Sequence, residues 1–162
     1  MIESYLVLAN RIRKELEDIA QIVTRAERAV VAARKNPEDQ DLLIDSAALN
    51  LHDLYSGLER IFQQIAATVD GCLPAGPEWH RELLQQMRVD LPKLCPPVMS
   101  DEIAGTLEEY LRFRHVVRNV YTFTFNPDQI ARLVNKVRTI FAQVQNELEV
   151  FARFLEMVGG EE

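Results

Sequence analysis

The run Val30-Val31-Ala32-Ala33-Arg34-Lys35-Asn36-Pro37-Glu38-Asp39-Gln40-Asp41-Leu42-Leu43 decides the fold. Proline fixes its own φ and restricts the residue before it, so Asn36-Pro37-Glu38-Asp39 is a break. On either side the apolar residues recur at threes and fours, the period of a helix with one buried face. Before the break lie Leu6, Ile12, Leu16, Ile19, Ile22/Val23, Ala26, Val30 and Ala33, predicting a helix from about Ile2 to Lys35. After it lie Leu42, Leu43, Ala47, Leu51, Leu54, Leu58, Ile61/Phe62, Ile65 and Val69, predicting a second from about Asp41 to Val69. At ~1.5 Å per residue each is roughly 40–50 Å long. Two such helices joined by so short a break form an antiparallel hairpin.

The rest of the chain extends this pattern. Asp70 to Pro77 is a Gly/Pro loop, and Glu78 to Arg88 reads as a short third helix. Leu91 to Ser100, with Pro92, Pro96 and Pro97, is expected to be irregular. Ser100 followed by Asp101 and Glu102 is a helix start, and the fourth helix is expected to reach Tyr121 or Phe123. The residues Thr122 to Phe125 read as a helix end and an extended turn. Asn126-Pro127-Asp128 is a cap with proline at the first helical position. A fifth helix then runs to about Val158 on the stripe Ile130, Leu133/Val134, Val137, Ile140/Phe141, Val144, Leu148, Phe151 and Phe154/Leu155, stopping at Gly159-Gly160. The expectation is an all-α, up-down antiparallel bundle of four long helices and one short one, with residues 1–162 as a single domain.

Charge narrows the function. A net charge of −7 argues against a protein that grips nucleic acid all over, since such binding rests on neutralising phosphates. DNA is accordingly not an expected partner. Cys72 and Cys95 form no metal-ligand spacing and read as free thiols of a reducing compartment. No apolar run approaches membrane-spanning length, and the N-terminus lacks the layout of a signal sequence, so the expected setting is cytoplasmic. His52, His80 and His115 are scattered, without the Glu-x-x-His pairs of metal-binding bundles, and no metal or cofactor is expected. His52, near Asp53 and Tyr55, reads as a hydrogen-bonded structural histidine. Trp79 reads as an anchor of loop to core, and His80 as a cap for the third helix.

Against this acidic background stands one basic island. Between Tyr110 and Pro127 there is no acid, but there are Arg112, Arg114, His115 and Arg118. Helical spacing sets Arg114 beneath Arg118, His115 beneath Asn119, and Tyr121 one turn beyond Val117 and Arg118. Guanidinium binds phosphate bidentately and stays charged, imidazole suits proton transfer near neutrality, and an amide donates to a phosphate oxygen without acting as a base. Such a group suits holding a phosphodiester and moving protons around it. The plainer alternative is a solvated face whose arginines pair with acids of the first two helices.

Three stretches carry a family resemblance. They are Leu49 to Phe62 (Leu-Asn-Leu-His-Asp-Leu-Tyr-Ser-Gly-Leu-Glu-Arg-Ile-Phe), Trp79 to Leu84 (Trp-His-Arg-Glu-Leu-Leu), and Phe113 to Tyr121 (Phe-Arg-His-Val-Val-Arg-Asn-Val-Tyr). The chain resembles the HEPN superfamily of all-α ribonucleases and nucleotide-binding bundles, and within it the HepT-like toxins. Their motif is Arg, four residues, His, one residue, Tyr. Here Arg114 and Tyr121 match and Asn119 stands where the histidine would be, with His115 and Arg118 inside the motif.

The resemblance implies a homodimer whose motif helices line one cleft. It implies RNA cleavage without metal, in which arginine steadies the phosphate and histidine assists attack by the ribose 2′-hydroxyl. It also implies a partner, an MntA-like nucleotidyltransferase antitoxin, that transfers AMP to the motif tyrosine, Tyr121. On this reading Arg114, His115, Arg118 and Asn119 are the candidate catalytic residues, and tRNA or mRNA is the substrate class. The alternative is a non-catalytic HEPN module that binds nucleotide or RNA, or scaffolds a nucleotidyltransferase.

Overall fold

The computed structural model describes residues 2–90, 95–121 and 124–160. Its helices are α1 (Ile2–Lys35), α2 (Gln40–Ile65), α3 (Trp79–Gln86), α4 (Asp101–Asn119) and α5 (Pro127–Gly160). No β-strand forms among the described residues. The all-α class is as expected. The positions 91–94 and 122–123, whose course was part of the sequence reading, lie outside the described residues.

Local chemistry sets the ends. At the first break the Asn36 side chain donates to Ala32 O (2.9 Å), and Pro37–Asp39 form a single 3-10 turn before α2 begins. Ser100 caps α4 by accepting from Ile103 N. Asn126 Oδ1 accepts from the amides of Asp128 and Gln129 at the start of α5. Three expected helix ends shift, that of α4 at the candidate site and those of the second and fifth helices. The second helix leaves α geometry after Ile65 and finishes in a π turn, Ala66–Asp70, closed by Gly71 at φ 65°, a conformation that suits glycine. The fifth passes through Gly159 and Gly160 rather than stopping there, because glycine disfavours helix only by about 1 kcal/mol and Gly159 is buried.

The four long helices run up-down-up-down. α1 packs on α2 and α5, α2 also carries α3 and α4, and α4 leans on α5. Arg13, near the start of α1, is clamped between Glu149 and Glu156 near the end of α5, and Arg138 of α5 pairs with Glu27. Tyr110 of α4 donates to Leu133 O of α5 at 2.7 Å. These pairs join early residues of one helix to late residues of its neighbour, so α5 is antiparallel to α1 and to α4; Arg60 of α2 on Glu15 of α1 sets that pair antiparallel too. The apolar stripes fill the middle, with Ile12, Ile19, Leu51, Phe62, Leu107, Val144 and Phe151 all enclosed. Two assignments at the helix starts fail. Leu6 and Leu42 are exposed, and in α1 the buried positions are Leu8 and Ala9. In a helix's first turns the partner surface, not the period alone, decides the phase.

Two glycines make a paired test. At Gly57 an added Cβ would lie 2.8 Å from Ile19 Cγ1, inside the close seam of α1 and α2. At exposed Gly105 it would meet nothing within 4 Å. Alanine gains about 1 kcal/mol of helix propensity at either place, while overpacking an enclosed seam costs about 1–3 kcal/mol. Urea denaturation is therefore expected to show Gly105→Ala stabilised by about 1 kcal/mol and Gly57→Ala destabilised by a similar amount. Equal responses at the two sites would show that the seam is not tight.

Candidate functional site

The basic island lies on the last two turns of α4, and the helix separates its residues into two sets. Arg112, His115, Arg118 and Asn119 face solvent. Arg114 does not. It is only 9% exposed and turns inward between α2 and α3. Among the described residues neither Arg112 nor Arg118 forms an ion pair, whereas Arg114 reaches Glu59 of α2 (Nη2 to Oε1, 3.3 Å). The expectation of Arg114 stacked under Arg118 as a second surface cation is thus corrected: the two lie only about 40° apart around the helix, but Arg114 is turned into the α2–α3 seam while Arg118, in the last turn of α4, is exposed.

His115 and Asn119 do meet. Asn119 Nδ2 donates to His115 O at 2.7 Å and lies 3.3 Å from His115 Nδ1. That carbonyl bond is the side-chain competition by which asparagine loosens a helix from within. α4 accordingly ends here. Val120 is extended (φ −128°, ψ 158°), although its amide still reaches Val116 O. Tyr121 is therefore not one helical turn beyond Arg118 but on the extended segment past the helix, with its residue surface 76% exposed. Its carbonyl accepts from the amide and hydroxyl of Thr124, turning the chain toward α5.

Around Arg114 three helices bring together a buried polar knot. Its Nε donates to Ser56 Oγ (3.1 Å), and its Nη1 lies 3.4 Å from His80 Nδ1. His80, from α3, is 2.7 Å from Glu59 Oε2 through that same Nδ1. Glu59 itself is buried. Tyr55, one turn before Glu59, is enclosed beside it; burial and the Glu59 carboxylate push its phenol above the ordinary value, against a smaller opposing effect of Arg114. A buried carboxylate is retained where charge partners and hydrogen bonds satisfy it, and here a guanidinium and an imidazole do so.

Sequence reasoning missed Glu59 and Ser56 and took His80 for a helix cap. The available signal was slight: Glu59 falls among Tyr55, Leu58 and Phe62 on α2, where a charged residue is out of place unless partnered. Trp79 is half-buried against the core, as expected of an anchor, and its ring lies against that of His80, centroids 3.5 Å apart and planes tilted by 32°. A groove of about 200 Å³ lies beside it, lined by Gln63, Leu73, Pro74, Trp79 and Leu83. His52 is half-buried with Nδ1 3.3 Å from Asp53 Oδ1. Cys72 and Cys95 are free thiols, the latter raised above its ordinary pKa by burial and by Asp70 and Asp90. Among the described residues no group of three or more His, Cys, Asp or Glu side chains is placed to hold a metal ion, and no helix is long and apolar enough to cross a membrane.

The all-α bundle agrees with a comparison against protein families. The family described as HepT-like protein matches residues 46–155, which include α2 after its first turns, α3, α4 and most of α5. The chain belongs to this HepT-like family and so to the HEPN type of helical module. No curated protein and no solved structure matches it significantly.

Proposed function

We propose that this protein is a metal-independent endoribonuclease, the toxin of a toxin–antitoxin pair, active as a homodimer on RNA. The observation that carries the reading is the solvent-facing end of α4. There Arg112 and Arg118 lack ion pairs among the described residues, beside the hydrogen-bonded His115 and Asn119, in a chain whose net charge is −7. Guanidinium binds phosphate bidentately and stays charged, so two exposed arginines on a stretch without acids suit a phosphodiester. In this reading Arg118 holds the phosphate, His115 serves proton transfer and Asn119 orients a phosphate oxygen. Arg114 acts from beneath through Glu59 and His80. Exposed Val116 and Val120 on the same turns supply apolar surface for a second copy.

Tyr121 is the proposed acceptor of AMP from a nucleotidyltransferase antitoxin. The modification would add a negative charge and a purine's bulk just past the end of α4, three residues on from Arg118, repelling and obstructing RNA as phosphorylation does at a basic site. The test is cleavage of total tRNA by the purified, partner-free protein in EDTA. Arg118→Ala and His115→Ala are each expected to reduce cleavage by about 100-fold or more with unchanged circular dichroism. Full activity in both variants sinks the assignment.

One observation favours a second reading, a non-catalytic module that binds nucleotide or RNA or scaffolds the transferase. Asn119 cannot accept a proton as a motif histidine would, and Arg114 is engaged inward. Protein whose mass shows Tyr121 unmodified, and which binds RNA without cutting it, would establish that reading instead.

A further inference from the structure

Resting on the ribonuclease reading, we infer that Glu59 and His80 form its general-base dyad, with His80 replacing the proton acceptor that Asn119 cannot be. The hydrogen bonds assign the tautomers. Glu59 is a buried carboxylate 2.7 Å from His80 Nδ1, so Nδ1 carries the proton and donates it to Oε2. Arg114 Nη1, at 3.4 Å from the same nitrogen, is then a neighbour rather than a donor to it. His80 Nε2 has no hydrogen-bond partner among the described residues, and the side chain is 24% exposed, so the basic lone pair belongs to the edge of the ring that Glu59 does not hold. His115 is set the opposite way. Its Nδ1 accepts from Asn119, and its Nε2 therefore carries hydrogen. One imidazole offers an acceptor and the other a donor, as a divided acid–base pair requires.

The surroundings suit a nucleotide. Arg114 ties the dyad to α4 by bonding Glu59 and Ser56 at once, so the imidazole is held by three helices rather than by a loop. Trp79 lies tilted against the His80 ring, and the groove of about 200 Å³ that it lines also includes Gln63, one turn along α2 from Glu59. An indole beside a small, mostly apolar groove is a platform for a base.

The step balances without a co-reactant. His80 Nε2 takes the proton from a ribose 2′-hydroxyl, the O2′–P bond forms and the P–O5′ bond breaks. His115 Nε2–H gives its proton to the departing O5′ and is reprotonated from solvent water. The hydroxide so formed and the proton later released by His80 recombine. The products are a 2′,3′-cyclic phosphate and a 5′-hydroxyl. Glu59 and Arg114 touch no reacting atom and are positioning residues.

The test is cleavage of an RNA oligonucleotide in EDTA by the wild type, His80→Ala, His80→Gln and Glu59→Gln, each checked by thermal melt, with and without added imidazole. The dyad predicts a loss of about 100-fold or more in both His80 variants. It also predicts saturable restoration of His80→Ala by imidazole, cyclic-phosphate ends throughout, and a smaller loss in Glu59→Gln. If His80→Ala does not fold, His80→Gln reads the loss alone and His80→Ser, also small enough to admit imidazole, carries the rescue. Wild-type rates in a folded His80 variant overturn the dyad and leave the ribonuclease reading standing. A loss in His80→Ala that imidazole does not restore makes His80 structural and also overturns it. Absence of cleavage by the wild type removes the ribonuclease reading and the dyad together.

Discussion

Arg114→Ala is expected to destabilise the fold by about 3–5 kcal/mol and to abolish any activity that depends on the end of α4. Removing a surface arginine ordinarily changes stability by less than about 1 kcal/mol. The difference lies in what Arg114 leaves behind. Glu59 is buried, and its carboxylate would lose the only guanidinium bound to it among the described residues. Ser56 Oγ would lose its donor as well. Lysine cannot repair the site, because a single ammonium does not reproduce the fork that meets Ser56 and Glu59 together. Exchanging both ends of the ion pair, Arg114→Met with Glu59→Leu, should recover much of the loss, since no buried charge is then stranded. Urea denaturation of the single and double variants checks this. A single variant within about 0.5 kcal/mol of wild type would show that water reaches the knot freely.

Tyr110→Ala is expected to cost a further large amount, about 3–5 kcal/mol, and for a different reason. The ring is enclosed between α2, α4 and α5, against a void of about 10 Å³ lined by Leu54, Leu58, Leu107 and Val137 among others. So tight a site has little slack to collapse into, and most of the lost ring volume remains as cavity. Tyr110→Phe keeps the ring and loses only the 2.7 Å bond to Leu133 O, about 1 kcal/mol.

The same residue predicts an alkaline limit. Burial, with a lesser effect of Glu109, raises the Tyr110 phenol above its ordinary value of 10.0, and Tyr55 shifts the same way for the reasons given above. Between the ordinary and the raised value the folded state holds the proton and the unfolded state has lost it. The stabilising contribution is therefore complete below about pH 10 and declines as pH rises beyond it. Chemical denaturation across pH 9 to 11.5 should show stability falling in that window, with a shallower fall in Tyr110→Phe. A flat profile would mean that neither phenol is shielded.

What could be read from the sequence, and what could not, divides along physical lines. The helices and their connections were legible because a helix's period, proline breaks and side-chain caps act within a few residues. Asn36-Pro37, Ser100 and Asn126-Pro127 mark their boundaries by local hydrogen bonds alone. The hairpin of α1 and α2, the all-α class and the cationic stretch on α4 followed from such signals. The end of α4 at Asn119 was not legible, because it turns on a side chain bonding back to the His115 carbonyl rather than on a glycine or proline.

The division of the basic island was also hidden. Arg112, Arg114 and Arg118 are alike in sequence, and only the seating of α4 against α2 and α3 decides which one is buried. Glu59 and His80 are 21 residues apart and carry no spacing rule. The sequence by itself determined the helices and the charge on α4, since these are properties of neighbours along the chain. The tertiary structure decided the Glu59–His80–Arg114 knot. A buried charge is tolerated only where packing from distant segments supplies its partners, and that supply exists only once three helices have met.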